Sequence, residues 1–293
     1  MTRGAGGDGE TASPYAALAA EHGLTQQGVR GPFGAYLRDL WRSRHFIWAL
    51  ATTRAYSRHE NTYLGQIWAV LNPLLFAGVY YVVFGLLLKT KGEIQNFAAF
   101  LIIGVFVFQF CSAALTSGAN AVVSNSSMIR SLRFPRAALP ISVVLTELLT
   151  LLPAIVVMFV LVTLTGETPS WEWLLVPPMF VVITIFNVGV ALIFSRLTHH
   201  SKDLKNITPL ISRVLRYVSG VFYPISYYAN ESIGALLLQY QPYALALDVV
   251  RAPLLEEMPL YWGHMWAMTG WAGFAIIVGI VYFWRGEGKY GID

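Results

Sequence analysis

The hydrophobic positions of this 293-residue chain gather into six long runs, at 67–88, 97–115, 140–164, 173–195, 207–228 and 263–284. Four of the runs hold no Asp, Glu, Lys or Arg. Each is close to or above the roughly 20 residues that a helix needs to cross the hydrocarbon core of a bilayer. A core helix of a soluble protein is shorter and keeps a polar face. The pattern predicts an all-α integral membrane protein with six transmembrane helices.

Ahead of the first run, Phe33, Tyr36, Leu37, Leu40 and Trp41 recur at helical spacing, while Arg38, Asp39 and Arg42 lie largely off that stripe. Basic residues continue through Arg44, Arg54 and Arg58. Residues 32–62 are expected to form an amphipathic helix. Either it lies in the membrane interface with its arginines near anionic headgroups, or it packs as an ordinary cytoplasmic helix. Residues 1–31, rich in Gly, Ala and polar groups, read as a flexible cytoplasmic tail without a signal peptide, and 63–293 as the six-span domain. The connection 229–262 is too long for a turn and too apolar for a plain loop. Segments 232–238 and 243–255, parted at Pro242, suit a short re-entrant or interfacial helix pair before the last span.

Charge adds orientation. With ends and loops numbered alternately, 15 Lys and Arg fall on the side of the N-terminus and 3 on the other. Cytoplasmic loops carry the excess, so both termini are expected in the cytoplasm. The net charge of +4 is then a topology signal and not the footprint of a nucleic-acid surface. Only 12% of residues are charged, against about 25% in soluble domains.

Little points to catalysis. The single cysteine, Cys111, sits within the second run and allows neither a disulfide nor a cysteine-based zinc site. There is no G-x-x-x-x-G-K-[ST], H-E-x-x-H or G-x-S-x-G. His199 and His200 are adjacent and not i, i+4, and read as solvated loop histidines. Glu256-Glu257 reads as an exposed acidic pair with no evident partner. No catalytic residue, metal site or bound cofactor is expected in this chain.

Three charges fall inside the runs: Glu147, Arg213 and Arg216. Such charges are costly and face a bundle interior or a wet cavity. Glu147 and Arg213 lie at similar depth with opposite sign, which suggests a buried pair; a fifth helix that begins later would instead leave Arg213 near the surface. An interfacial belt accounts for most of the aromatics. The fifth run, however, combines two Arg, four Tyr and Ser219-Gly220, a poor composition for a lipid-facing helix. Aromatic rings with hydroxyls suit sugars, which present apolar C–H faces beside hydrogen-bonding groups. The candidate pathway residues are Tyr80, Phe84, Arg213, Arg216, Tyr217, Phe222 and Tyr223.

The stretch Tyr63-Leu64-Gly65-Gln66-Ile67-Trp68-Ala69-Val70-Leu71-Asn72-Pro73-Leu74, after an Arg-rich lead-in, resembles the permease subunits of type-2 ABC exporters. The likeness is greatest to the branch that moves lipid-linked polysaccharides such as O-antigens, teichoic acids, capsules and mycobacterial galactan. Three further stretches agree in order: Met128-Ile129-Arg130-Ser131-Leu132-Arg133-Phe134-Pro135, then Val218-Ser219-Gly220-Val221-Phe222-Tyr223-Pro224-Ile225, and Gln241-Pro242-Tyr243 followed by Arg251.

The resemblance implies a homodimer in the bacterial inner membrane, bound to two copies of a separate ATPase that holds ATP and Mg. It implies that the first and fifth spans line a channel. Met128, Arg130, Arg133, Phe134 and Arg136 would couple to the ATPase, and Arg38, Arg42, Arg54 and Arg58 would meet a lipid diphosphate. The implied cargo is a polyprenyl-diphosphate-linked polysaccharide, with galactan favoured. Rival readings are a permease for a small hydrophobic compound and a membrane glycosyltransferase, the latter needing an acidic site that is not apparent.

Overall fold

A computed structural model describes residues 32–58, 65, 67–87, 94–132, 134–201, 203–225 and 233–287. The tail expected over 1–31 lies outside them. Among the described residues every regular element is helical. Helices α1 (Phe33–Arg42) and α2 (Arg44–Ser57) come first. Next is α3 (Ile67–Tyr80), which runs on as a π-helix over Tyr81–Leu87. Then follow α4 (Phe97–Ala119), the short α5 (Ser126–Ser131) and α6 (Ala138–Leu164). A 3-10 turn at Trp171–Leu175 leads into α7 (Val176–His200). The chain continues through α8 (Leu204–Val218), α9 (Ile233–Gln239), α10 (Pro242–Leu254) and α11 (Trp262–Gly286).

Five of these, α3 with its π extension, α4, α6, α7 with its lead-in and α11, are long and apolar enough to cross a membrane. They match the first four and the last of the predicted runs, and mostly extend them. The run 207–228 is different. Its helix, α8, stops at Val218, so 15 residues reach only about 22 Å. Ser219 donates its N–H back to the Leu215 carbonyl at 2.8 Å, and Gly220 then takes a left-handed φ of +72°, which ends the helix. The short pair expected before the last span is present as α9 and α10, with Pro242 at the first turn of α10.

The core is built around α4. It touches α3, α6, α7, α8 and α10, and most of its side chains are buried. α7 and α11 form the closest pair. A Cβ on Gly189 would lie 2.3 Å from the Ala275 carbonyl carbon, and one on Gly279 would lie 2.6 Å from the Gly189 oxygen. The two backbones therefore meet directly, as small residues allow between membrane helices.

The N-terminal stripe divides. Tyr36 is buried and Phe33 meets Trp284 edge-on at 5.1 Å, whereas Leu37 and Trp41 remain exposed. α2 lies along α6, where the Thr146 hydroxyl donates to the Ala51 carbonyl at 3.3 Å. One side of this segment thus packs on the bundle and the other is exposed.

At the far ends of α4 and α6 a polar network replaces the unpartnered acidic pair expected from the sequence. Asn96 caps α4 by accepting from the Ala99 N–H at 3.1 Å, and its own amide donates to Glu167 at 2.8 Å. Glu167 also accepts the Glu256 N–H at 3.0 Å. Glu257 accepts the Gln95 and Asn96 N–H groups at 2.6 and 3.3 Å, and Thr168 donates to Glu256. These carboxylates satisfy loop and helix-start donors, a role that needs the fold to bring 95, 167 and 257 together. The histidines differ as well. α7 continues through His200, so His199 and His200 occupy its last turn and not a loop.

Candidate functional site

The π-helix after α3 and the irregular segment after α8 build one aromatic cluster. Its centre is Phe222, 1% exposed. Tyr80 approaches edge-on at 4.4 Å. Phe84 stacks within 5° of parallel at 4.8 Å, and Tyr217 lies 5.5 Å away. Such ring pairs add about 0.5–1.5 kcal/mol beyond area burial. The Tyr223 hydroxyl donates to the Tyr217 carbonyl at 2.8 Å and fixes the turn against α8.

A guanidinium enters this cluster. Arg216 donates from Nη1 to the Tyr80 hydroxyl at 3.1 Å and lies 5.3 Å from the Phe108 ring centre and 6.0 Å from that of Phe76. Its Nε is buried without a hydrogen-bond partner among the described residues. A cation held by rings keeps donor capacity for a further acceptor. Of the predicted pathway residues, Tyr80, Phe84, Arg216, Tyr217, Phe222 and Tyr223 are brought together. Arg213 is exposed on α8 and makes no ion pair among the described residues.

The clamp that holds this segment is Arg251 of α10, only 1% exposed. Its Nη1 and Nη2 donate to the carbonyls of Gly220 and Val221, both at 2.8 Å, and Nε donates to Phe100 at 3.3 Å. The guanidinium sits 3.5 Å over the Phe100 ring. Gln241 adds a bond to the Val218 carbonyl at 3.0 Å. The carbonyls orphaned where α8 stops are thus satisfied from α10. Gly104 leaves the necessary room, since a Cβ there would lie 2.1 Å from Nη2. Sequence reading places Arg251 only within a motif; the signal for its role is a lone cation in the apolar stretch 243–255.

The expected Glu147–Arg213 pair does not form. Glu147 is bound at both oxygens by Arg58, at 2.6 and 3.0 Å. The reason is packing: α2 runs along α6 and delivers Arg58, while α8 packs on α4 through the Ser112–Ser212 hydroxyl contact at 2.5 Å. The bond to Glu147 holds the Arg58 guanidinium above its ordinary pKa. Among the interface arginines, Arg54 also has a protein partner, Asn125 at 2.6 Å, whereas Arg38, Arg42 and Arg44 are exposed.

On the loop side, α5 is a short, largely exposed helix carrying Met128 and Arg130. Phe134 meets Phe46 of α2 at 5.1 Å, and Met128 packs near Leu139 and Val143 of α6. Arg136 donates its N–H to the Glu287 carboxylate at 3.1 Å and its Nη1 to the Glu287 carbonyl at 2.6 Å. Burial raises the pKa of the Glu287 carboxyl. Arg133 lies outside the described residues. Among the described residues no three His, Cys, Asp or Glu group to hold a metal.

The bundle thus sets an aromatic cluster, with one guanidinium in it, where α8 breaks off, and five of its helices are long and apolar enough to cross a membrane. The chain matches the ABC-2 type transporter family over residues 45–255 and belongs to that family. It is 34% identical over 167 residues to the O-antigen export system permease protein RfbA of Klebsiella pneumoniae, covering 57% of this chain and 64% of the relative. A protein of the same name from Myxococcus xanthus is 27% identical over 221 residues, covering 75% and 84%. The chain thus spans just under two thirds of the Klebsiella relative and most of the Myxococcus one.

Proposed function

We propose that this chain is the membrane-spanning subunit of an ATP-driven exporter that moves a polyprenyl-diphosphate-linked polysaccharide out of the cytoplasm, galactan being the favoured cargo. The observation that carries the reading is the aromatic cluster around Phe222 with the Arg216 guanidinium set into it. Rings offer faces for sugar C–H groups, and Arg216 retains a buried donor for a phosphate or hydroxyl oxygen. The relatives named as O-antigen export permeases support a polysaccharide as cargo.

In this reading the chain works as a homodimer in the inner membrane with both termini cytoplasmic. ATP and Mg are bound by two copies of a separate ATPase, which dock at α5 and the following loop with Arg130, Arg133, Phe134 and Arg136. Tyr80, Phe84, Arg213, Arg216, Tyr217, Phe222 and Tyr223 line the pathway. Arg38 and Arg42 meet the diphosphate first, since Arg54 and Arg58 already have protein partners.

The test is mass spectrometry of lipid-linked glycans after depletion of this protein in its own host. Accumulation of one polyprenyl-diphosphate polymer on the cytoplasmic side is the expected result and names the cargo. An unchanged glycan pool with depletion verified overturns the polysaccharide reading in favour of a small hydrophobic substrate.

A further inference from the structure

A cleft of about 310 Å³ between α2, α3 and α6 takes no part in the pathway above. Its walls are Trp48 and Tyr56 of α2, Ala69 of α3, and Leu149, Leu152 and Pro153 of α6. Two threonines also border it, but each hydroxyl donates back into its own helix: Thr52 to the Trp48 carbonyl at 3.0 Å, and Thr150 to the Thr146 carbonyl at 2.8 Å. With those donors spent, the walls offer mainly methyl groups and rings. Apart from the Tyr56 hydroxyl and the Trp48 indole N–H, that surface is apolar and suits hydrocarbon.

Position narrows the occupant. Leu152 is 48% exposed and heads a stripe continued by Val156 and Val160, at i+4 and i+8 along a helix long and apolar enough to span the bilayer. The cleft is therefore continuous with an exposed apolar track along α6. At its other end Arg44 lies one turn before Trp48 on the same face of α2. It is exposed and sits 5.5 Å from the centre of the Trp41 ring. Exposed Trp beside a basic residue is the composition of the headgroup level of a membrane. Arg54 and Arg58, next along α2, are held by Asn125 and Glu147, whereas exposed Arg44 makes only a long contact to the Trp41 carbonyl at 3.5 Å, which leaves the Arg44 end as the cationic mouth.

We propose that this cleft seats one acyl chain of an anionic phospholipid, with Arg44 at its phosphate, so that a bound lipid joins α2 to the lipid-facing side of α6. The proposal does not rest on the export reading, because a resident phospholipid would be held whatever the cargo.

Native mass spectrometry of the full-length protein, taken from nanodiscs of equal phosphatidylglycerol and phosphatidylcholine, tests it. Wild type should retain a phosphatidylglycerol adduct. Ala55→Trp, which fills the cleft, should lose it, while Ile277→Trp, on the exposed face of α11 away from α2, α3 and α6, should keep it. Arg44→Gln should shift the retained lipid from phosphatidylglycerol toward phosphatidylcholine. Leu149→Trp serves as a second filler if Ala55→Trp does not give folded protein. Equal adducts in wild type and both fillers overturn the proposal. So does a filler that changes only the oligomeric state, which makes the cleft a protein interface, or an adduct with the mass of a polyprenyl phosphate.

Discussion

The first two spanning helices are neighbours in sequence and alike in apolarity. Yet little of α3 is buried, whereas most of α4 is. α3 leaves Leu75, Phe76, Val79, Val82, Leu86 and Leu87 exposed, whereas α4 buries Phe100, Phe106, Phe108 and Phe110. The difference is one of small residues. Gly104 and Gly118 on α4 face Arg251 and Ala191 at distances no larger residue could share. In a bilayer, hydrophobicity says that a helix enters the membrane; close approach of backbones decides which helix becomes the core.

This contrast can be broken most sharply at Gly104. Gly104→Val forces a side chain into the Arg251 guanidinium and should prevent stable folding. Arg251→Ala leaves three carbonyls without that donor, and should cost on the order of 3 kcal/mol or more in a denaturation series. If either variant purifies with unaltered melting behaviour, α4 is not the structural centre. Next in size is the ion pair. Arg58→Ala strands Glu147, which is 7% exposed, whereas Glu147→Gln leaves an Arg58 that is 39% exposed and can find water. The first should cost roughly 2–4 kcal/mol and the second about 1; equal losses would argue against a buried carboxylate as the sensitive partner.

The exposed side should respond in function and not in fold. Tyr217→Ala, at an exposed position of the cluster, should reduce export severalfold in a complementation assay, with a smaller effect on assembly than Arg251→Ala, whereas Phe222→Ala, at a buried position, should cost stability as well. Normal export in both Tyr217→Ala and Tyr80→Ala would remove the cluster from the pathway. Smallest of all, Leu86→Ala on the π-helix should move stability by no more than about 0.5 kcal/mol, because its side chain is 56% exposed. A large loss there would reveal a protein neighbour over α3.

Five of the spans are legible in the sequence because long apolar runs with at most one charged residue admit no other structure in hydrocarbon. The fifth predicted run is interrupted for a specific reason. Ser219-Gly220 sits in an apolar stretch, and only the left-handed φ at Gly220, stabilised from α10, converts it into a stop. The cluster residues Tyr80, Phe84, Arg216, Tyr217, Phe222 and Tyr223 can be singled out by composition, since Arg and Tyr are out of place in a lipid-facing helix. Their mutual geometry is not legible, because it depends on a π-turn that changes the phase of Phe84. Glu147 shows the same limit. Depth and sign suggest Arg213, but a partner drawn from α2, 89 positions away, is settled by packing alone.

The contact of Gly189 with Ala275 and Gly279 has a mechanical consequence. With no side chain to act as a bearing between them, α7 and α11 cannot slide or roll without pulling their backbones apart, and should travel as one strut. Any rearrangement that opens a route through the bundle then falls to long helices packed less tightly, α3 with its π-turn and α8 with its broken end. A cross-link that bridges α7 to α11 should be silent, while one that bridges α3 to α8 should lock the protein.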